Sequence, residues 1–285
     1  MRHESGQLST KSQTMMCAKK QHPIITLFAL TLLMCACHNR TLSRLEQIDS
    51  LLSQDNVEKA YTLVQAIPIH EMENSDKMAY FTLLKTEATY RNMTPVDNDS
   101  IDISVFYYEQ HGPKEQLARA YYYKACILFF NRNNVTAAIK LLKRAENTAK
   151  GHGGLALMHK IFSTLSYVNL TTKNYNTALN YAEKARGMAT RANNDLWMAY
   201  SLSYIANAYS GLGVPDSNLN YLLKALKLYK HLDTESQTVL LANISDVYSQ
   251  KGDTVKSAKF ILRALKERPD SYTYTILTDL YMRQG

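Results

Sequence analysis

Chemistry needs nucleophiles, acids and bases, or metal ligands brought together, and this sequence offers few side chains of that kind. Its four cysteines are Cys17, Cys35, Cys37 and Cys126, and no Cys-x-x-Cys spacing or cysteine–histidine pairing marks a zinc site. His152 and His159 stand seven residues apart, a spacing that can put both on one helical face, but no carboxylate completes a site. His70, Glu71 and Glu73 also cluster without further donors. Gly151-His152-Gly153-Gly154 is the one glycine cluster. No strand precedes it, so it reads as the loop that ends a helix and not as a phosphate cradle. HExxH, GxSxG, GxxxxGK[ST] and a βαβ-opening GxGxxG are absent from the chain. The residues therefore predict no enzyme, no cofactor and no metal, and Cys126 reads as a buried core thiol.

Without such groups, function must rest on surfaces, and surfaces on the elements beneath them. The chain has 285 residues, 46% apolar and 20% charged, a balance that suits a folded protein. Ten glycines and six prolines are about half of average usage. That is too few turns for a sandwich or barrel, which needs one every 8–12 residues or so. A long-range period appears instead. Ala145, Ala185, Ala225 and Ala264 follow at gaps of 40, 40 and 39. Seven residues before them stand Ala138, Ala178, Asn218 and Ser257. An earlier column holds Phe129, Asn169, Tyr209 and Tyr248, and four residues later come Asn133, Lys173, Gly213 and Gly252, where the chain must turn. Each unit reads as two antiparallel helices. Small residues at the crossing let the axes approach to the near end of 8–10 Å, and an aromatic from the first helix fills the space beside them. Pro269 stops the last complete unit.

These columns resemble the tetratricopeptide repeat (TPR), with a fit over roughly Ala118–Pro269. The unit is about six residues longer than the 34-residue form, which predicts longer helices. The expected fold is all-α, an α-solenoid of TPR-like helix-turn-helix repeats with a period of about 40 residues. Asn169 in the aromatic column, and Asn218 and Ser257 in the alanine column, depart from the pattern. Upstream, Leu51–Pro68 reads as a second helix of the same kind. Met78–Arg91 and Ile101–His111 read as a further pair around a polar loop at Asn92–Ser100. Residues 37–112 are thus expected to be degenerate repeats or a helical cap, and 113–285 the repeat array. Tyr272–Met282 resembles another first helix, with Tyr281 in the aromatic column and Gly285 at the turn. This last repeat reads as incomplete, so the chain has a second reading as the truncated sensor portion of a membrane-linked signalling regulator.

The TPR resemblance implies that first helices line a concave groove. Two residues before the aromatic column stand Ile127, Tyr167, Asn207 and Asp246; six before it, Tyr123, Ser163, Ser203 and Ala242, with Asn243 one position further on. Tyr123, Tyr167, Asn207, Asn243 and Asp246 are the candidate ligand-binding residues. An asparagine can bond a peptide backbone twice, and a tyrosine adds apolar area and a hydroxyl. For Tyr123 and Tyr167 the alternative is packing between helices. The lysine-based carboxylate clamp of some TPR proteins is not supported, because Ser203 stands at its lysine position. Arg144, Lys184, Lys224 and Arg263 form a basic stripe on the second helices, read as a solubility feature ahead of a docking surface.

The N-terminus carries a different signal. Ile24–Met34 is apolar over eleven residues, too short to span a bilayer, which needs about 20. Lys19 and Lys20 precede it and Cys35-Ala36-Cys37 follow, the plan of a secretory signal. The segment resembles a bacterial lipobox with Ala36 before Cys37. That implies a signal peptide over 1–36, with a true start at Met15 or Met16, and a diacylated, N-acylated Cys37. Three acyl chains at about 0.8 kcal/mol per buried CH₂ would make the anchor effectively permanent. His38 follows in place of the aspartate of inner-membrane retention, which by resemblance implies the outer membrane. The run KMAYFTLLKTEATYRN and the later SVFYYEQHGPKEQLARAYYYKA are similar to a family of TPR lipoproteins of Gram-negative bacteria. That resemblance implies a lipid-anchored module facing the periplasm, with an unknown protein or peptide partner. The net charge of +8 is too diffuse to imply nucleic acid.

Overall fold

The computed structural model describes residues 40–96, 99–269 and 271–282. The expected signal segment over 1–36, Cys37 and Gly285 lie outside the described residues. Among the described residues there are thirteen α-helices and no strand. None of these helices is long and apolar enough to cross a membrane.

Two compact units are present, one ending at Pro95 and the other beginning at Val96. The first holds α1 (40–53), α2 (Val57–Gln65) and α3 (Ser75–Arg91). Within Leu51–Pro68 the second helix is α2, and the turn before it falls at Asp55. Its φ of 62° ends α1 before α2 begins, and an Asx residue tolerates that left-handed geometry better than most. Leu45, Ile48 and Leu52 of α1 pack with Ala60 and Val64 of α2 and with Phe81, Leu84 and Ala88 of α3. Arg91 ties the ends of this unit. One guanidinium nitrogen donates to the Leu52 carbonyl at 2.7 Å, and the other meets the Asp55 carboxylate at 2.5 Å.

The second unit holds α4 (Ile101–His111), α5 (Lys114–Phe130), α6 (Val135–Ala149), α7 (Leu155–Thr171), α8 (Tyr175–Ala192), α9 (Asp195–Gly211), α10 (Pro215–Leu226), α11 (Thr234–Gln250), α12 (Thr254–Glu267) and α13 (Ser271–Met282). Four helix pairs, α5/α6 to α11/α12, carry the repeat, and every first helix among them has 17 residues. The turn column behaves as its spacing demands. Asn133, Lys173, Gly213 and Gly252 have φ of 49°, 60°, 70° and 78°. After the first of these, Asn134 N–H reaches six positions back, to the Leu128 carbonyl at 2.8 Å. After the last three the next residue bonds back five positions, as in Asn174 N–H to the Asn169 carbonyl at 2.8 Å and Asp253 N–H to the Tyr248 carbonyl at 2.9 Å. This is the Schellman arrangement, which satisfies carbonyls left open at a helix end. Asn134 and Asp253 then cap the following helices through their side chains.

At each crossing a small first-helix residue faces a small second-helix residue. Ser166 Oγ donates to the Ala178 carbonyl at 2.9 Å, and Ser245 Oγ to the Ser257 carbonyl at 2.8 Å. Cys126 and Ala206 occupy the same column and are fully buried, so Cys126 fills a crossing position. The aromatic column meets a second aromatic row. Tyr209 stacks on Tyr221 and Tyr248 on Phe260, each at 5.6 Å between ring centres. Asn169, where an aromatic would sit, turns inward and donates to the Leu165 carbonyl at 2.7 Å. α4 packs on α5 through Lys124–Asp102 and Tyr121–Glu109 contacts, and α3 packs on α2.

Candidate functional site

First helices of successive repeats touch one another, α5 with α7 and α7 with α9, more than successive second helices do; each second helix packs chiefly on its own first helix and then on the following one. The closer approach of the first helices places them on the inner side of the array's curve. Three kinds of rung join them. Tyr122 OH lies 3.2 Å from Thr164 Oγ1. The His159 ring stacks on Trp197 at 4.9 Å. Phe129 and Phe130 of α5 meet Tyr167 of α7, each at 5.9 Å, and Tyr167 meets Tyr204 of α9 at 6.4 Å.

The expected binding residues separate into two groups. Tyr123 is a correction: it is 1% exposed, packed edge-on against Tyr122 with its hydroxyl 3.4 Å from Lys160 Nζ. The packing alternative describes it, because its column turns toward the neighbouring helices and away from solvent. Ile127 is buried for the same reason. The column two residues before the aromatics opens from the second repeat onward. Tyr167 is 37% exposed, Asn207 is exposed, and Asp246 is half-buried with its carboxylate accepting from Gln250 at 2.8 Å. Asn243, also half-buried, lies one turn before Asp246 on α11. Tyr167, Asn207 and Asp246 thus fall in one row across α7, α9 and α11, each at the same position of its helix.

Two members of this surface were not singled out from the sequence. Phe130, 51% exposed, stacks on Tyr167 with an interplanar angle of 20°. It follows Phe129 directly, and that doubled aromatic was the available signal. Tyr204 stands five residues before the aromatic column, in register with Asn243. Burial, with the Tyr167 hydroxyl nearby, pushes its hydroxyl up to about 12.

The outer stripe is engaged within the chain. Arg144 lies over the Tyr121 ring at 4.3 Å and pairs with Glu109 at 2.7 Å. Lys184 sits over Tyr181 at 4.7 Å and Phe162 at 5.6 Å, and Lys224 over Tyr221 at 4.8 Å. Such cation–π contacts contribute about 0.5–1 kcal/mol at exposed sites. The stripe therefore stabilises the second helices from outside. Of the two histidines weighed together, His152 is exposed and His159 is 5% exposed, so they form no common site.

No family model and no curated protein matches the sequence. Solved structures do resemble the fold. The apo form of RapI superposes with a TM-score of 0.69 at 18% identity, covering 86% of this chain and 71% of that one. A Rap protein complexed with competence and sporulation factor gives 0.66 at 18% identity, covering 87% and 72%. NprR in complex with its cognate peptide NprX gives 0.65 at 16% identity, covering 86% and 73%; an apo form of this quorum sensor from B. thuringiensis is similar too. The fold is a TPR-like α-solenoid.

Proposed function

We propose that this chain is a lipid-anchored binding module that holds an extended protein or peptide segment along its first helices. The observation that carries the reading is the row of Phe130, Tyr167, Asn207 and Asp246. Apolar rings, an amide and a carboxylate there face solvent on the side of the array where neighbouring helices otherwise pack. An extended segment needs such a surface: rings to cover its side chains, and an amide that can both donate to and accept from its backbone. Structures of similar fold include one with a cognate peptide and one with competence and sporulation factor, which supports the choice of ligand class. The anchor reading is supported by the residues before Cys37, and it would hold the module at the periplasmic side or surface of the outer membrane.

The test is a pull-down from detergent-solubilised envelope using the full chain, an Asn207→Ala/Tyr167→Ala variant and an outer-face Lys184→Ala/Lys224→Ala variant. A partner lost only from the first variant supports the groove; equal loss from both, or retention in the first, overturns it. The anchor is tested separately by fractionation. Cys37→Ala should shift the protein from membrane to soluble fractions, and an unchanged distribution would refute lipidation there.

A further inference from the structure

The chemistry along the row runs in one direction. Phe130 and Tyr167 form an apolar, uncharged end, Asn207 a neutral middle, and Asp246 the acidic end. Asp246 differs from the other acidic groups near it on α11. Glu235 pairs with Arg268 at 3.2 Å, and the Asp233 carboxylate at the N-cap accepts from Tyr200 at 2.7 Å and from Ser236. Asp246 has only the neutral Gln250 amide, and no ion pair reaches it among the described residues. Its charge is thus left without a counter-cation at one end of a surface whose other end is aromatic.

Resting on the groove reading, we infer that the segment bound here carries an aromatic or large apolar side chain about five or more residues from an arginine or lysine. The first seats against the Phe130–Tyr167 pair and the second on Asp246. The spacing follows from helix packing. Tyr167 and Asp246 lie on first helices two repeats apart. At no less than roughly 8–10 Å per helix-to-helix step, the distance between directly packed helices, that is at least about 16–20 Å, which an extended chain rising about 3.3 Å per residue covers in five or more residues. Asn207, at the midpoint, meets backbone and imposes no side-chain preference. Charge complementarity selects the basic residue, and the parallel ring pair selects the apolar one. A helical ligand would need more than ten residues for the same span at about 1.5 Å each.

A random fourteen-residue peptide library displayed on phage, panned against the full chain and against Tyr167→Ala and Asp246→Asn variants, tests this. Selection on the unaltered protein should enrich an aromatic and a basic residue at that separation. The Asp246→Asn selection should keep the aromatic and lose the basic preference. A synthetic enriched peptide should bind roughly three- to fivefold more weakly when its basic residue is replaced by glutamine, the scale of an exposed ion pair. Asp246→Asn should remove that difference. An aromatic preference without the basic one, or a basic preference undiminished in Asp246→Asn, overturns the inference while leaving the groove in place. Enrichment no better than that on Tyr167→Ala overturns both.

Discussion

Acid should loosen the α7–α9 rung before it reaches the contacts of Glu109 or Asp233. His159 is 5% exposed, its ring stacked on Trp197 and its Nε2 lying 3.2 Å from Ser201 Oγ, 3.4 Å from Ser163 Oγ and 3.3 Å from the Trp197 carbonyl. Burial depresses its pKa from the ordinary 6.5 to about 4, with Lys160 assisting and the Trp197 carbonyl opposing. Between these values the unfolded chain binds the proton that the folded chain refuses. Stability is therefore complete above pH 6.5 and falls as pH drops toward 4. With those two constants the loss is about 2 kcal/mol by pH 5 and about 3 kcal/mol by pH 4. Glu109 and Asp233, held below the usual carboxylate range, titrate under this window. The assay is urea unfolding at pH 7.5, 6 and 5, followed by fluorescence of Trp197, the one tryptophan in the chain and the residue stacked on the titrating ring. His159→Phe keeps the stack and removes the proton, so its stability should be the flatter with pH by about 2 kcal/mol. Parallel pH dependence in the two proteins would refute the reasoning, as would an NMR titration of His159 with a midpoint near 6.

Other expectations follow from the repeat geometry. Lys173 holds a φ of 60° at a position where later repeats use glycine. Lys173→Gly should therefore stabilise the protein by about 0.5–1 kcal/mol, read as a raised thermal midpoint that Lys173→Ala does not share. Ala185 is fully buried at a helix crossing, so Ala185→Leu should cost about 1–3 kcal/mol by overpacking, measured by denaturant unfolding. Tyr121, Tyr200 and Tyr204 are each pushed up to about 12, chiefly by burial. An ultraviolet titration should leave these three protonated at pH 11 while exposed tyrosines ionise, and Tyr200→Phe should remove signal only from the late phase.

The period was legible because a helix crossing and a tight turn each constrain one residue type at one position. Ala145, Ala185, Ala225 and Ala264 are all buried without exposed area, and Asn133, Lys173, Gly213 and Gly252 all take the left-handed conformation. Column positions count turns of a helix, and turns of a helix set direction, so Tyr167, Asn207 and Asp246 could be placed in one row before any coordinates. Tyr123 failed where the same logic was pushed across helices. It lies four residues before Ile127, also buried, on the stretch of α5 that turns toward its neighbours. Which face a neighbour covers depends on packing between elements, and no spacing within α5 encodes it.

The two faces of the array differ in whether their charges are already matched, and this separates recognition from stabilisation. On the second helices four cations are answered inside the chain: Lys143 by Glu146, Arg144 by Glu109 and Tyr121, Lys184 and Lys224 by tyrosine rings. A partner docking there would have to displace contacts already made, gaining only the difference. Along the first helices Phe130 is half open, Asn207 is exposed and Asp246 has no cation among the described residues, so a ligand would gain each contact with little to displace. Neutralising Asp246 should accordingly leave stability within about 0.5 kcal/mol of the parent, as for surface changes away from a network, while altering what the protein binds. Removing Glu146, 3% exposed between Lys143 and Lys184, should do the reverse. A destabilised Asp246→Asn with unchanged ligand selection would contradict this division of the surface.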